Sequence, residues 1–304
     1  MPRHGAILRS AEVGLVLTAV IWAVNFSVSK AALATVPPLA FNALRYPLAG
    51  LAAAAALRSV GPAVAPRRAD VATIVGLGLL GNVAYQLLFI EGLDRTLAAN
   101  SAVLMATAPA WTAALAVPLA GERVGAAAWT GILLTCGGVV LVVLGGAEAA
   151  IGSATLVGDL LTLGAAFAWG LYTVLSIPLV HRYGALPVTV WTMWVGAAVL
   201  PWFGIGQLRE VGIGSLGVAE WGAVAYAGVL SITVAYLLWY RGVRALGGAR
   251  TAAFGNLVPV IAIAVAWAWL GERPGPWQLA GAALTVLGVA VARRRARPPV
   301  ASAR

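Results

Sequence analysis

Apolar residues run in membrane-length blocks from about residue 12 to residue 293, broken by short clusters of glycine, proline and charge. A helix crosses the hydrocarbon core of a bilayer with about 20 mostly apolar residues. Ten segments reach that length: 12–34, 38–58, 71–91, 97–119, 125–145, 158–180, 187–207, 217–240, 249–270 and 276–293. Breakers stand between them, at Pro37-Pro38, Gly61-Pro62, the glycine/alanine stretch 145–155, Gly184, Gly212 to Gly214, Gly247-Gly248 and Pro274-Gly275-Pro276. The pattern predicts an all-α membrane protein of ten transmembrane helices.

The pattern is also written twice. Residues 98–123 read AANSAVLMATAPAWTAALAVPLAGER and residues 248–273 read GARTAAFGNLVPVIAIAVAWAWLGER, an offset of 150 without a gap. Pro109 falls on Pro259, Trp111 on Ile261 and Gly121-Glu122-Arg123 on Gly271-Glu272-Arg273. The match extends to Gly92 and Gly242, Gly131 and Gly281, Thr135 and Thr285, and Gly138 and Gly288. At an offset of 147, Glu12 falls on Asp159, Trp22 on Trp169 and Ser29 on Ser176. Self-similarity on this scale marks a duplicated architecture. The unit is five spans: residues 1–150 hold the first five, and residues 151–304 hold the second five with a basic tail. Because five is odd, the second unit enters the membrane from the opposite face. Inverted five-helix repeats of this kind build secondary transporters, whose binding site lies near the bilayer midplane where the halves meet. A duplicated scaffold without transport is the alternative.

Composition agrees with the spans. The chain is 61% hydrophobic and 10% charged, with mean hydropathy +0.92, whereas soluble domains carry about 25% charged residues. The net charge of +10 raises the question of nucleic acid. The positions of the arginines answer it: with both termini in the cytoplasm, 15 of the 20 basic residues fall on cytoplasmic ends and loops, and only Arg95, Arg209 and Arg273 on the other face. That is the positive-inside distribution of a membrane protein. The N-terminal Arg3 and Arg9 followed by an apolar stretch imitate a signal peptide. The stretch continues to Ala34 without a cleavage site suited to a short apolar region, so it reads as the first span. The single cysteine, Cys136, excludes an internal disulfide and is expected to be a small buried residue.

Helical periodicity then selects faces. Trp22, Asn25, Phe26 and Ser29 in span 1 recur at i, i+3, i+4 and i+7, and so do Trp169, Tyr172, Thr173 and Ser176 in span 6, and Asn82, Tyr85, Gln86 and Phe89 in span 3. Span 8 offers Thr233, Tyr236 and Tyr240, with Trp239 beside them. Polar groups facing lipid are costly, so these stripes are expected to face inward. They would wall a cavity of flat aromatics with a few hydrogen-bonding groups, suited to an amphiphilic small molecule such as an amino acid, or to a cation through its charge. Ordinary helix packing is the alternative for each residue taken singly.

Lys30 and Arg45 are the two cations inside spans. Lys30 lies about 27 Å along the helix from Glu12, near the outer end of span 1, and Arg45 about 10 Å deep in span 2. Together they could hold a substrate carboxylate or phosphate, with Glu91 neutralising one of them. Alternatively Arg45 is a lock on Glu91 or on backbone carbonyls, and Lys30 snorkels to the interface. Pro109 and Pro259 are expected to remove a helix hydrogen bond and kink their spans at symmetric points, as hinges or as static bends. Gly137-Gly138, Gly281 and Gly288 allow close helix approach, by default within one chain, with a weak homodimer open. Glu122 and Glu272 are expected to end helices and pair locally.

Enzyme chemistry has no visible machinery. The two histidines, His4 and His181, are both expected at the cytoplasmic edge, no metal-spaced cluster occurs, and neither a nucleophile elbow nor a phosphate loop is present. No cofactor is implied.

The residues also carry a family resemblance. Trp22-Ala-Val-Asn25-Phe26-Ser-Val-Ser-Lys30 resembles the WGxNFxxxK opening of the EamA-type drug/metabolite transporters, and Ala43-Leu-Arg45-Tyr46 resembles that family's RF signature. Gly92-Leu93, the segment Ala98 to Pro109, the Gly-Glu-Arg tripeptides and the glycine-rich fifth and tenth spans fit the same family over about residues 12–292. The aromatic stripes are similar to the YddG-type amino-acid exporters within it. The resemblance implies a ten-helix carrier of a bacterial inner membrane, usually an exporter of amino acids or other metabolites. Its RF motif serves carriers of unlike substrates, so Arg45 is expected to govern transport without choosing the substrate. The expected function is transport of a small metabolite by alternating access, with the lipid bilayer and a small-molecule substrate as partners. A scaffold, or a carrier of cationic drugs or nucleotide-like metabolites, remains open.

Overall fold

The computed structural model describes residues 2–60, 65–121, 125–146, 154–246, 251 and 254–293. The regular structure among these residues is all helical, with no strand. The helices are α1 (Pro2–Leu33), α2 (Pro38–Val60), α3 (Arg68–Arg95), α4 (Ala98–Met105), α5 (Ala108–Ala120), α6 (Ala126–Gly146), α7 (Ala154–Tyr183), α8 (Ala185–Val211), α9 (Val218–Leu246), α10 (Leu257–Leu270) and α11 (Pro276–Arg293). Seven stretches among the described residues are long and apolar enough to cross a membrane: Arg9–Leu33, α3, Ala98–Ala120, Ala126–Val143, Thr155–Tyr183, α8 and α9. α10 and Pro276–Val291 are shorter apolar helices. α2 has the length, at 23 residues, but Asn42, Arg45 and Arg58 dilute its apolar character.

The packing is inside-out relative to a soluble protein. Large apolar side chains stand outward, among them Leu51 at 71% exposure and Trp202 at 75%. Asn25, Asn42, Arg45, Asn82, Gln86 and Asp159 are buried. In water, an apolar exterior of this extent would drive association. In hydrocarbon it is the stable arrangement, because polar groups there can be satisfied only by the protein itself. The molecule is a multi-pass membrane protein.

Helix partnerships repeat across the halves. α3 packs on α7 and α9 packs on α1; α5 packs on α7 and α10 on α1; α3 packs on α8 and α9 on α2. α2 pairs with α8, and α6 with α11. Shifting by half the chain turns each pairing into its counterpart. The glycine contacts keep the same symmetry. A Cβ at Gly138 would collide with Thr285 and the Gly281 carbonyl, and a Cβ at Gly288 with Thr135 and the Gly131 carbonyl. Gly78 lies against the Thr192 carbonyl as Gly228 lies against that of Arg45. The small-residue faces of α6 and α11 therefore close on each other within one chain. Cys136, expected to be buried, is exposed, because α6 turns Gly131, Thr135 and Gly138 to α11 and leaves Cys136 on another face.

The Gly-Glu-Arg repeats end helices through their glycines. Gly121 (φ 67°) and Gly271 (φ 68°) terminate α5 and α10 in the left-handed conformation, which only glycine adopts without strain. Glu122 and Arg123 lie outside the described residues. Two wide π turns, Leu79–Ala84 in α3 and Tyr226–Val234 in α9, stand at nearly matching repeat positions, where single π turns frequently mark functional sites.

At the α6–α11 seam, Gly138→Ala is expected to destabilise the protein by about 1–3 kcal/mol through overpacking. The adjacent Gly137, whose Cβ would meet only Leu284 at 3.5 Å, is expected to accept alanine unchanged. Thermal unfolding of the two variants in detergent checks the contrast.

Candidate functional site

The four stripes do converge. α1, α3, α7 and α9 enclose a cavity of about 320 Å³. Trp22, Asn25 and Phe26 line it from α1, Tyr85 and Phe89 from α3, Trp169 and Tyr172 from α7, and Tyr236 and Trp239 from α9. Their rings touch in sequence around the wall. Trp22 meets Trp239 at 5.1 Å and Tyr236 at 5.8 Å; Trp169 meets Tyr236 at 6.3 Å, Tyr172 at 5.3 Å and Tyr85 at 5.1 Å; Phe89 meets Tyr85 at 6.0 Å and Phe26 at 5.8 Å. The tilted and edge-on geometries are those that aromatic quadrupoles favour. The Trp22 indole is fixed by donating to the Ser231 carbonyl at 3.0 Å, an acceptor on the π turn of α9.

That π turn also explains a misplaced part of the stripe. It adds a residue to one turn, so extrapolation at 3.6 residues per turn fails across it. Ser231 and Ile232 face the cavity instead of Thr233, whose hydroxyl donates to the Ala49 carbonyl of α2 at 3.3 Å. Tyr240 lies one step behind the lining, its hydroxyl sharing a 2.6 Å hydrogen bond with Thr189, which does line the cavity. Ser29, Thr173 and Ser176 are also outside it.

Arg45 borders the cavity from α2, and Lys30 does not. Arg45 Nε donates to Asn42 Oδ1 at 2.9 Å, and Nη2 donates to Gln86 Oε1 at 2.6 Å. The expected pairing of Arg45 or Lys30 with Glu91 does not form. Glu91 pairs with Arg95, one turn away on the same helix, the spacing at which helical side chains meet. Lys30 Nζ donates to the carbonyls of Leu93 (3.0 Å) and Asp94 (2.7 Å). It satisfies the C-terminal carbonyls of α3, where a cation is favoured by the helix dipole, rather than snorkelling.

Glu272 is likewise not a local partner. Its two oxygens accept from the Ala98 and Ala99 amides at 2.8 and 3.0 Å, capping α4 from the other half of the chain. Beside it the buried Asp159 accepts from Thr96 Oγ1 at 2.5 Å, and Gln278 Nε2 donates to Asn100 Oδ1 at 3.0 Å. One end of the bundle is thus tied by polar contacts from α1, α3, α4, α7 and α11. At the opposite end of α3, Asp70 accepts from Arg182 and from the Tyr183 hydroxyl of α7.

Pro109 and Pro259 do not interrupt a helix in its middle. Helix α4 ends at Met105, and Pro109 is the second residue of α5. Pro259 is likewise in the first turn of α10. At these positions the missing N–H is not needed. Pro109 lines the cavity and Pro259 does not.

Sequence periodicity missed several lining residues: Tyr46, Met105, Ala106, Thr189, Met193 and Asn256. Asn42, Arg45 and Tyr46 do stand at i, i+3 and i+4, so a stripe in α2 was there to be read. The α4–α5 break that exposes Met105 and Ala106 leaves no such pattern.

The EamA-like transporter family matches residues 9–144 and again residues 156–294. The chain belongs to this family. Among its EamA relatives, a protein of Streptantibioticus cattleyicolor described as a "Probable terminal-alkyne amino-acid exporter" is 31% identical over 288 residues, 95% of each chain. The uncharacterized transporter YyaM of Bacillus subtilis is 30% identical over 76% of each chain. A crystal structure superposes with a TM-score of 0.66 over 94% of this chain and 99% of the other. At 22% identity that likeness speaks for the fold alone.

Two substitutions test the tied end. Glu272→Ala leaves two buried amides of α4 without an acceptor and is expected to cost about 1–3 kcal/mol, whereas Glu272→Gln keeps one acceptor and is expected to cost less. Thermal unfolding of the purified protein ranks the three chains.

Proposed function

We propose that this EamA protein is a secondary transporter that moves a small amphiphilic metabolite, an amino acid or a close relative of one, across a bacterial inner membrane by alternating access. The observation that carries the reading is the aromatic cavity at the meeting of the two halves, tied by polar contacts at the α3–α4 end. The Streptantibioticus protein described as a "Probable terminal-alkyne amino-acid exporter", similar over nearly the whole chain, supports the substrate class and the direction, net export. The cavity fits the size: about 320 Å³ is the low end of ordinary ligand sites.

In this reading the chain crosses the bilayer ten times, as two five-helix repeats of opposite topology, residues 1–150 and 151–304, with both termini in the cytoplasm. The exchanged helix partnerships, α3 on α7 in one half and α9 on α1 in the other, support it. The substrate sits among Trp22, Phe26, Tyr85, Trp169, Tyr172 and Tyr236, and the halves rock about it. The chain ties formed by Lys30, Glu272 and Asp159 break on opening the far side. The discontinuities before Pro109 and Pro259 are the hinges. A monomer suffices, since the glycine faces of α6 and α11 are used internally.

Two experiments test the reading. Proteoliposomes of the purified protein are expected to show saturable counterflow of a labelled neutral amino acid, and Trp169→Ala to raise KM about tenfold through loss of one aromatic wall. Non-saturable flux, or none, would refute transport of this class. In a Cys136→Ala background, Arg68→Cys and Val218→Cys, equivalent positions 150 residues apart, are expected to react with impermeant thiol reagents from opposite sides. Labelling from one side would remove the inverted repeat.

A further inference from the structure

Arg45 is 1% exposed and its guanidinium is clamped. Asn42 and Gln86 take two of its N–H groups, and the Phe41 and Phe89 rings flank it at 5.2 and 5.9 Å. A guanidinium has five N–H donors, and both of its acceptors here are neutral amides. Among the described residues no carboxylate lies within 4.0 Å of it; the ion pairs are those of Arg95 with Glu91 and Asp94, and of Arg182 with Asp70. The buried acids are committed elsewhere, Asp159 to Thr96 and Asp70 to Arg182, and the half-buried Glu272 to the α4 amides. Apart from Arg45, the described cavity wall holds no acidic or basic side chain. An isolated charge in a low-dielectric interior is costly, and such charges are paired or functional.

We propose that the counter-charge is supplied by the substrate: Arg45 is the carboxylate-binding residue of the cavity, and it restricts the substrates to amphiphiles bearing a carboxylate. The free N–H groups of the guanidinium grip the anion by charge-assisted hydrogen bonds, and the apolar part lies against Trp22, Trp169 and Tyr236. The repeat-equivalent position of Arg45 is Thr192, neutral and bonded to Tyr172 at 3.1 Å. The halves therefore match in shape and differ in charge, and the ligand has one orientation, with its anionic end toward α2 and α3. Cationic amphiphiles are excluded by the same charge. The inference rests on the cavity being the transport site. It makes Arg45 choose substrates as well as support transport.

The test uses the purified full-length protein and dose-dependent thermal shift, which reports binding by mass action. The probes share one skeleton: L-norleucine, N-acetyl-L-norleucine, L-norleucine methyl ester and pentylamine. The two acids are expected to bind about 10- to 100-fold more tightly than the ester and the amine, the range of a charge-assisted contact. Arg45→Gln is expected to abolish the difference and Arg45→Lys to restore part of it. Should Arg45→Gln fail to fold, the acid–ester comparison on the unmodified protein decides. Equal binding of acid and ester, with saturable norleucine counterflow intact, overturns the carboxylate subsite alone. Failure of all four probes to stabilise the protein overturns both it and the amino-acid reading.

Discussion

A polar side chain in hydrocarbon has no solvent but the protein that carries it. That constraint organises this molecule. It turns Asn25, Asn42, Arg45, Asn82 and Gln86 inward and leaves leucines, valines and tryptophans on the outside. It also commits the charged groups buried or half-buried among the helices to specific neighbours. Lys30 finds the carbonyl end of α3, Glu272 finds the amide end of α4, and Asp159 finds Thr96. Each contact joins different helices, so satisfying the polar groups also ties the bundle together.

The second organising fact is duplication. The α6–α11 seam shows it most simply: Gly138 meets Thr285 and Gly281, while Gly288 meets Thr135 and Gly131. The same residues stand on both sides, exchanged. The cavity departs from this rule. Trp22 and Trp169 are equivalent and both line it, but Arg45 is matched by Thr192 and Gln86 by Tyr236. Helices whose contacts exchange between the halves thus surround a cavity with one charged side.

Much of this was legible in the chain. The α3 stripe lines the cavity whole, the α1 stripe does so without Ser29, and the α7 stripe contributes Trp169 and Tyr172 but not Thr173 or Ser176. The α9 stripe slipped by a residue because the π turn over Tyr226–Val234 changes the register, and nothing in YAGVLSITV announces it. Glu91 pairs with neither Arg45 nor Lys30. Its neighbour at i+4, Arg95, was the better partner on local geometry alone. Lys30 and Glu272 were placed near the correct end of the bundle, but their targets are backbone groups at helix ends, which carry no mark in the sequence.

By itself the sequence determined what depends on spacing along one chain: the helical membrane-type segments, the repeat at an offset of 150 residues, the aromatic faces, and the glycine positions that allow two helices to touch. Those follow from transfer free energy and helical periodicity, which are local properties. Only the tertiary structure decided which residues from distant helices share a neighbour: that Arg45 has two amides and no acid, that Lys30 is spent on carbonyls outside the cavity, and that Glu272 caps a helix that begins 174 residues away. Pairing across the bundle depends on distances between helices, and those are set by packing, which residue spacing does not encode.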